Sequence, residues 1–250
     1  MALEKYRQSA GVLAHFKHYL TLLDPLPGQQ VLDLGCGSGT FCRVLGPIVA
    51  PDGRVTGVDN ALEALRVASQ LTTNTEYDCI RFEHGDGHHL MFADEMFDSA
   101  VCISVLAFCD DPQRVLSELR RVLRPGGRLL VVNSDDDTRI YNGLDQELGR
   151  RIQRAIADRT HDPWLGRRLA YLLETAGFKI LKEEIATKIE RDFTSETSGY
   201  ILAHSMRDYL LRSEGISTHD YDRWLADLNT CALEGSYCYG VTSYVYLAEV

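Results

Sequence analysis

Little in this 250-residue chain points toward a membrane, a nucleic acid or a metal. No apolar run approaches the roughly 20 residues needed to span a bilayer. The opening MALEKYRQSA also lacks the apolar core of a signal peptide. No two of the seven cysteines form a CxxC pair, so neither a zinc site nor a thioredoxin-type redox site is expected. Most of the cysteines sit in apolar runs, where a free thiol behaves as a small hydrophobe. That usage suits a reducing compartment, and a cytoplasmic location is expected. Positive charge is in deficit, with 26 Lys and Arg against 36 Asp and Glu and a net charge of -10. A binder of phosphate backbones shows a basic stripe instead. The Arg-rich stretch 150–168 is interrupted by acids and reads as a solvated helix face, so no nucleic-acid partner is expected. There are no repeats or low-complexity segments. With 45% hydrophobic and 25% charged residues, the composition is that of one globular domain, long enough for an α/β core with a small cap.

What is present is a regular alternation. Val12, Phe16, Tyr19, Leu20 and Leu23 recur at helical spacing and predict an N-terminal helix within 1–24, stopped by the prolines at 25 and 27. Strands are expected at 30–34, 54–58, 79–83, 97–104, 128–133, 178–186 and 237–247, with helices between them. Strands alternating with helices imply a parallel sheet with right-handed crossovers. The helical stretches 198–213 and 219–233 interrupt the last two strands. The insertion 195–235 is therefore read as a helical cap over the active-site edge, with Gly199, Gly215 and Gly235 as hinges.

The strongest local signal is Val31-Leu32-Asp33-Leu34-Gly35-Cys36-Gly37-Ser38-Gly39, a buried strand running into three glycines at alternate positions and then a helix. Glycine allows the tight turn and lets a ligand approach without a Cβ in the way, and the following helix start favours a carboxylate. Thr40 stands where a dinucleotide fingerprint wants its third glycine, which disfavours NAD, and no GxxxxGK phosphate loop exists. Gly57-Val58-Asp59 ends the second strand and Gly85-Asp86-Gly87 follows the third. Ser104-Val105 follows the fourth, and Leu119-Arg120-Arg121-Val122-Leu123-Arg124-Pro125-Gly126-Gly127 leads into the fifth.

Together these motifs resemble the class I S-adenosylmethionine-dependent methyltransferases, in particular the ubiquinone/menaquinone-biosynthesis-like (type 11) subgroup. The resemblance covers residues 28–133, the cofactor-binding core. It implies a doubly wound α/β fold with a mostly parallel seven-stranded sheet, Rossmann-like, whose last strand inserts antiparallel between the fifth and sixth. By the same resemblance, Gly35, Gly37 and Gly39 line the methionine part of S-adenosyl-L-methionine and Asp33 orients its ammonium. Asp59 holds the ribose, with Asn60 beside the adenine. Asp86 and the Gly87 amide bind the adenine, and Ser104 and Val105 sit near the sulfonium. The Arg-Pro-Gly-Gly signature is structural and does no chemistry.

The acceptor is less legible, because methyl transfer needs positioning more than a catalytic motif. A [DNS]PP[YFW] tetrapeptide and a Pro-Cys pair are both missing, which argues against amino- and C5-methylation of DNA bases. A small-molecule acceptor with an O, N or C nucleophile is expected, in a pocket lined by Tyr200, Leu202, Met206, Tyr209, Tyr221 and Trp224. Candidate bases are Asp135, with Asp136 and Asp137 beside it, and His204 on the cap. The acids also read as a solvated turn and His204 as a helix-flank residue. Tyr6 is placed to close over the cofactor or to pack in the core. A homodimer is compatible with the sequence. Two other readings stay open: a cyclase or lyase on the same cofactor, and a non-catalytic interaction protein, against which the intact Asp59 and Asp86 argue.

Overall fold

Two periodicities shape the chain, and each element buries the face its period supplies. The computed structural model describes residues 10–73 and 78–250; Tyr6 lies outside them. In chain order the elements are α1 (Ala10–Leu23), β1 (Gln30–Leu34), α2 (Thr40–Val49), β2 (Arg54–Asp59), α3 (Leu62–Leu71), β3 (Ile80–His84) and β4 (Phe97–Ile103). There follow α4 (Pro112–Val122), β5 (Leu123–Tyr141), α5 (Gln146–Ala157), α6 (Leu165–Thr175), β6 (Lys179–Glu190), α7 (Ser198–Ser205), α8 (Arg207–Leu210), α9 (Thr218–Leu233) and β7 (Tyr239–Glu249).

The strands form one seven-stranded sheet in the order β3-β2-β1-β4-β5-β7-β6. Neighbours among β1 to β5 are parallel, whereas β7 runs antiparallel between β5 and β6, as expected from the sequence. One apolar cluster joins the sheet to α4 and α6. Another joins it to α1 and α2, where Val12, Phe16, Tyr19, Leu22 and Leu23 are buried. Each such side chain adds about 1.5–3 kcal/mol of burial. Helix α4 begins as its sequence promises: Pro112 occupies the first turn and the Asp111 carboxylate accepts the Arg114 amide at 3.0 Å.

Two expectations need correction. Strand β5 does not stop at Asn133. It continues to Tyr141 because β7 keeps pairing with it, from Asp135 opposite Thr242 to Ile140 opposite Gly240. The residues between form a bulge, which re-aims side chains at a sheet edge. The acids at 135–137 are thus strand residues and not a solvated turn: Asp135 and Asp136 are buried, and Asp137 is exposed.

The stretch 195–235 also does not pack by itself, for it shares an apolar core with α5 and the strand ends. Its core joins Leu148, Ile152 and Ile156 of α5 to Tyr221, Trp224 and Leu228 of α9 and to Tyr141, Tyr237 and Tyr239 at the strand ends. Gly199 is a packing glycine and not a hinge. A Cβ there would lie 2.2 Å from the Tyr237 hydroxyl, and its amide is held by Glu190 at 2.8 Å.

Candidate functional site

The site begins where β1 ends. Gly35, Gly37 and Gly39 take φ values of 73°, 55° and 72°, a region closed to most side chains. Close packing adds a second reason for glycine. A Cβ on Gly35 would stand 2.1 Å from Val105 Cγ2, and one on Gly39 2.5 Å from Phe82 Cζ. The loop is tied to the neighbouring strand, with the Gly35 amide donating to the Val58 carbonyl at 2.7 Å. The Gly37 amide donates to Asp59 Oδ2, also at 2.7 Å. The other Asp59 oxygen accepts the Ala61 amide at 2.8 Å. An ionised carboxylate has about four lone-pair sites, so Asp59 can hold the loop and still accept hydroxyl donors. Asn60 is exposed beside it, and its carbonyl lies 3.2 Å from His84 Nε2.

Beyond β3, Asp86 Oδ1 accepts the His88 amide at 2.9 Å and lies 2.7 Å from His88 Nδ1. These backbone and imidazole bonds hold the Asp86 carboxyl below its ordinary range. His88 Nε2 in turn lies 2.9 Å from Asp110. The next turn is clamped from α4: Arg121 donates to the Leu90 and Phe92 carbonyls and to Asp94, at 2.8, 2.8 and 2.7 Å. Arg121, which opens the run Arg121-Val122-Leu123-Arg124-Pro125-Gly126-Gly127, thus steadies the loop that carries Asp86 and Gly87.

Next to the glycine loop opens a cavity of about 480 Å³. Asp33, Gly35, Cys36 and Thr40 form one side, Ser104 and Asn133 the strand ends, His15, Phe16 and Tyr19 of α1 another side, and Ile201, Leu202 and Met206 the cap side. Ser104 sits at φ 59°, a strained conformation for a non-glycine residue that tends to cluster at functional sites. Asp33 is 3% exposed and accepts the Cys42 thiol at 3.0 Å. Burial, then the Cys36 contact and the Asp33 charge, push the Cys42 thiol well up, so it remains a proton donor to Asp33.

These positions fit S-adenosylmethionine. The glycine cradle leaves no room for a Cβ, a buried carboxylate faces the cavity, and the buried Asn133 Oδ1 has no hydrogen-bond partner. The fold brings Asp33, Gly35 and Ser104 onto the cavity wall. Gly37, Gly39, Asp59, Asn60, Asp86 and Gly87 lie at the loop and at the carboxyl ends of β2 and β3, where open α/β sheets bind ligands. Val105 stands under Gly35 and is not on the wall.

Neither Asp135 nor His204, the two candidate bases, is on the cavity wall. Arg167 holds Asp135 through both oxygens, at 2.6 and 3.1 Å. Of the three acids at 135–137, Asp136 is the one on the wall. His204 is exposed, stacks on Tyr200 at 3.9 Å and has Nδ1 2.8 Å from the Tyr200 carbonyl. Of the expected aromatic and aliphatic lining, Leu202 and Met206 are on the wall, while Tyr221 and Trp224 are buried in the cap core. Sequence reasoning missed His15, Asn133, Arg139 and Arg159. Asn133 alone had a signal, as a polar residue closing an apolar strand.

Residues 32–131 match the methyltransferase domain family. An uncharacterised 37.1 kDa protein in a transposon of Streptomyces fradiae is 34% identical over 232 residues, 92% of this chain and 65% of its own length. An arsenite methyltransferase of Aquipseudomonas alcaligenes is 40% identical over 129 residues, 49% of this chain and 37% of its own. The chain thus spans less than two thirds of either relative. A solved methyltransferase candidate from Bacillus halodurans C-125 superposes with a TM-score of 0.65 at 19% identity, covering 94% of this chain and 98% of its own. The [4+2]-cyclase SpnF does so at 0.62 and 18%, covering 94% and 80%. With the glycine cradle, the strand-end acids and the sheet order all in place, residues 32–131 of the chain are similar to a methyltransferase domain.

Proposed function

We propose that the protein transfers a methyl group from S-adenosylmethionine to an O, N or C nucleophile of a small molecule. The observation that carries this is the cavity itself. It adjoins the glycine cradle, is roofed by α1 and α7, and at about 480 Å³ falls within the range of small-molecule pockets. When bound, the cofactor supplies an electrophilic methyl on a sulfonium.

The chain's own residues do the rest. Asp33 and Asn133 hold the ammonium end and Asp59 the ribose hydroxyls. Asp86 and the Gly87 amide hold the adenine edge. Ser104 fixes the strand end beside the reacting centre, and α1 with α7 excludes water and confines the acceptor to a near-attack geometry. Where the acceptor must lose a proton, His15 is placed to take it. Burial, then Lys188 and His18, hold its imidazole below the ordinary value, hence unprotonated and free to accept a proton near pH 7.

An arsenite acceptor is disfavoured, because Cys36 is the one cysteine on the cavity wall and a soft ion is held by several sulfur ligands. The formal charge of -10 supports an acceptor other than nucleic acid. For a homodimer, the support is the outer face of edge strand β6, where Ile185 and Ile189 are each 62% exposed. The test is incubation of the protein with methyl-labelled cofactor and a metabolite extract. Labelled small molecules with stoichiometric S-adenosylhomocysteine are expected. Turnover of substrate without S-adenosylhomocysteine would overturn methyl transfer in favour of a cyclase or lyase.

A further inference from the structure

Part of the acceptor cavity is built from charge that the methyl-transfer reading leaves unused. Asp136 and Arg139 both come from the bulged end of β5, and Arg159 follows α5; all three are on the cavity wall. Arg139 donates to Asp136 Oδ1 and to the Tyr239 hydroxyl. Arg159 Nη2 donates to the other Asp136 oxygen at 3.3 Å. The side chains of Arg139, Asp136 and Arg159 are 6%, 5% and 19% exposed. One buried carboxylate therefore answers two guanidinium ions. Lys188, also on the wall, has its own partner in Glu190 at 2.9 Å. Asp33 belongs to the glycine-loop side, with the Cys42 thiol. Counted by itself, the Arg139–Asp136–Arg159 group carries one net positive charge on the cavity wall; the neighbouring Asp135 and Asp137 are both engaged by Arg167 and are not on that wall.

The hydrogen-bond inventory agrees. Both Arg139 Nε and Arg159 Nε are buried without a partner, and the Arg159 guanidinium lies 5.1 Å above the Phe108 ring, which can order it but cannot neutralise it. Burial pulls the Arg159 guanidinium down, Asp136 offsets this only in part, and the like charge of Arg139 adds to the lowering. An uncompensated charge at such a depth is costly. A guanidinium fork is also the group best matched to a carboxylate.

We propose that Arg159, backed by Arg139, is an anion-recognition subsite, and that the methyl acceptor is a monocarboxylate on an apolar body. The proposal rests on the methyl-transfer reading and names its substrate class. The charge favours a monoanion, since a single unit remains after Asp136. The apolar body follows from Phe16, Phe108, Val132 and Ile201 on the same wall. Arg159 binds the carboxylate, which leaves the far end of the molecule to face the glycine loop.

The test uses the full chain saturated with S-adenosylhomocysteine and titrated calorimetrically. The probes are straight-chain acids from butanoate to decanoate, benzoate and phenylacetate, each against its primary amide. At least one acid is expected to bind about tenfold or more tighter than its amide, the ratio that one charge-assisted hydrogen bond supplies. In Arg159→Gln the ratio should collapse toward unity, and Arg159→Lys should keep its sign at a smaller size. Because Asp136 retains Arg139, Arg159→Gln is expected to fold, which thermal melting checks. Should it not fold, the wild-type ratio decides. The proposal is overturned if no acid is favoured over its amide in the wild type, or if Arg159→Gln keeps the preference. A wild type that fails to bind S-adenosylhomocysteine would overturn the methyl-transfer reading alone. The acid-against-amide ratio measured without the nucleoside would then still decide the subsite.

Discussion

Substitution of Gly35 by alanine separates two reasons for glycine that the cradle combines. The first is backbone conformation: at φ 73° an L-residue is disfavoured by roughly 1–2 kcal/mol. The second is space, because the new Cβ would stand 2.1 Å from Val105 Cγ2. Overpacking of this kind costs about 1–3 kcal/mol. Gly35→Ala should therefore destabilise the protein by roughly 2–5 kcal/mol. Gly28→Ala is the control, since it has φ 87° and nothing within 4 Å of the added Cβ, and only the conformational part should remain. Val105→Ala by itself removes two methyl groups, at about 0.8 kcal/mol each. In the Gly35→Ala background it also removes the clash, so the double variant should be more stable than the sum of the singles by roughly 1–3 kcal/mol. Urea unfolding of the four proteins, with S-adenosylhomocysteine affinity measured on each, completes the cycle. If Gly35→Ala is no less stable than Gly28→Ala, or the double variant is simply additive, Val105 does not prop the loop and the steric account is wrong.

Asp59→Ala should weaken S-adenosylmethionine binding about 10- to 100-fold, since a charge-assisted hydrogen bond contributes roughly 1.5–3 kcal/mol. An unchanged dissociation constant in a folded variant would refute the assignment to the ribose. Calorimetry should also show no binding of NAD. Because the His15 pKa is lowered, the acid limb of the kcat profile should lie below the ordinary imidazole value of about 6.5 and vanish in His15→Gln. As pH falls below that value the unfolded chain takes up this proton before the folded one, so His15 should also cost stability toward acid. Arg121→Met should raise the Kd for S-adenosylhomocysteine although Arg121 touches no cofactor position, because the 90–94 turn loses its clamp; equal affinity would show that the clamp is irrelevant to binding. Cofactor with substrate should slow hydrogen exchange in 198–206, which supplies cap-side lining, far more than in 218–233, whose Trp224 and Leu228 are already buried. Uniform protection across the cap would contradict this division.

What the sequence determined by itself was local. Strand-loop-helix geometry at 31–40 follows from three alternate glycines after an apolar run, and the strand-end acids Asp59 and Asp86 from their spacing to it. Sheet order followed from the family resemblance those motifs carry. The run from Arg121 to Gly127 was read as structural, and only the folded chain shows Arg121 reaching back to carbonyls about 30 residues earlier. The acceptor site was decided by tertiary structure. Only the fold put Asp136 and not Asp135 on the cavity wall, and this was hidden because β5 runs past its apolar segment on the strength of pairing with β7. Arg139 enters through the bulge, Arg159 from an Arg-rich stretch that looked solvated, and His15 from a helix whose other face is core. His204, next in the chain to the buried Ala203, faces outward on α7. A periodic pattern tells which face of an element is apolar. It cannot tell which polar residues of distant elements the closed sheet will bring to one cavity, because that depends on crossovers and bulges that no short window of sequence contains.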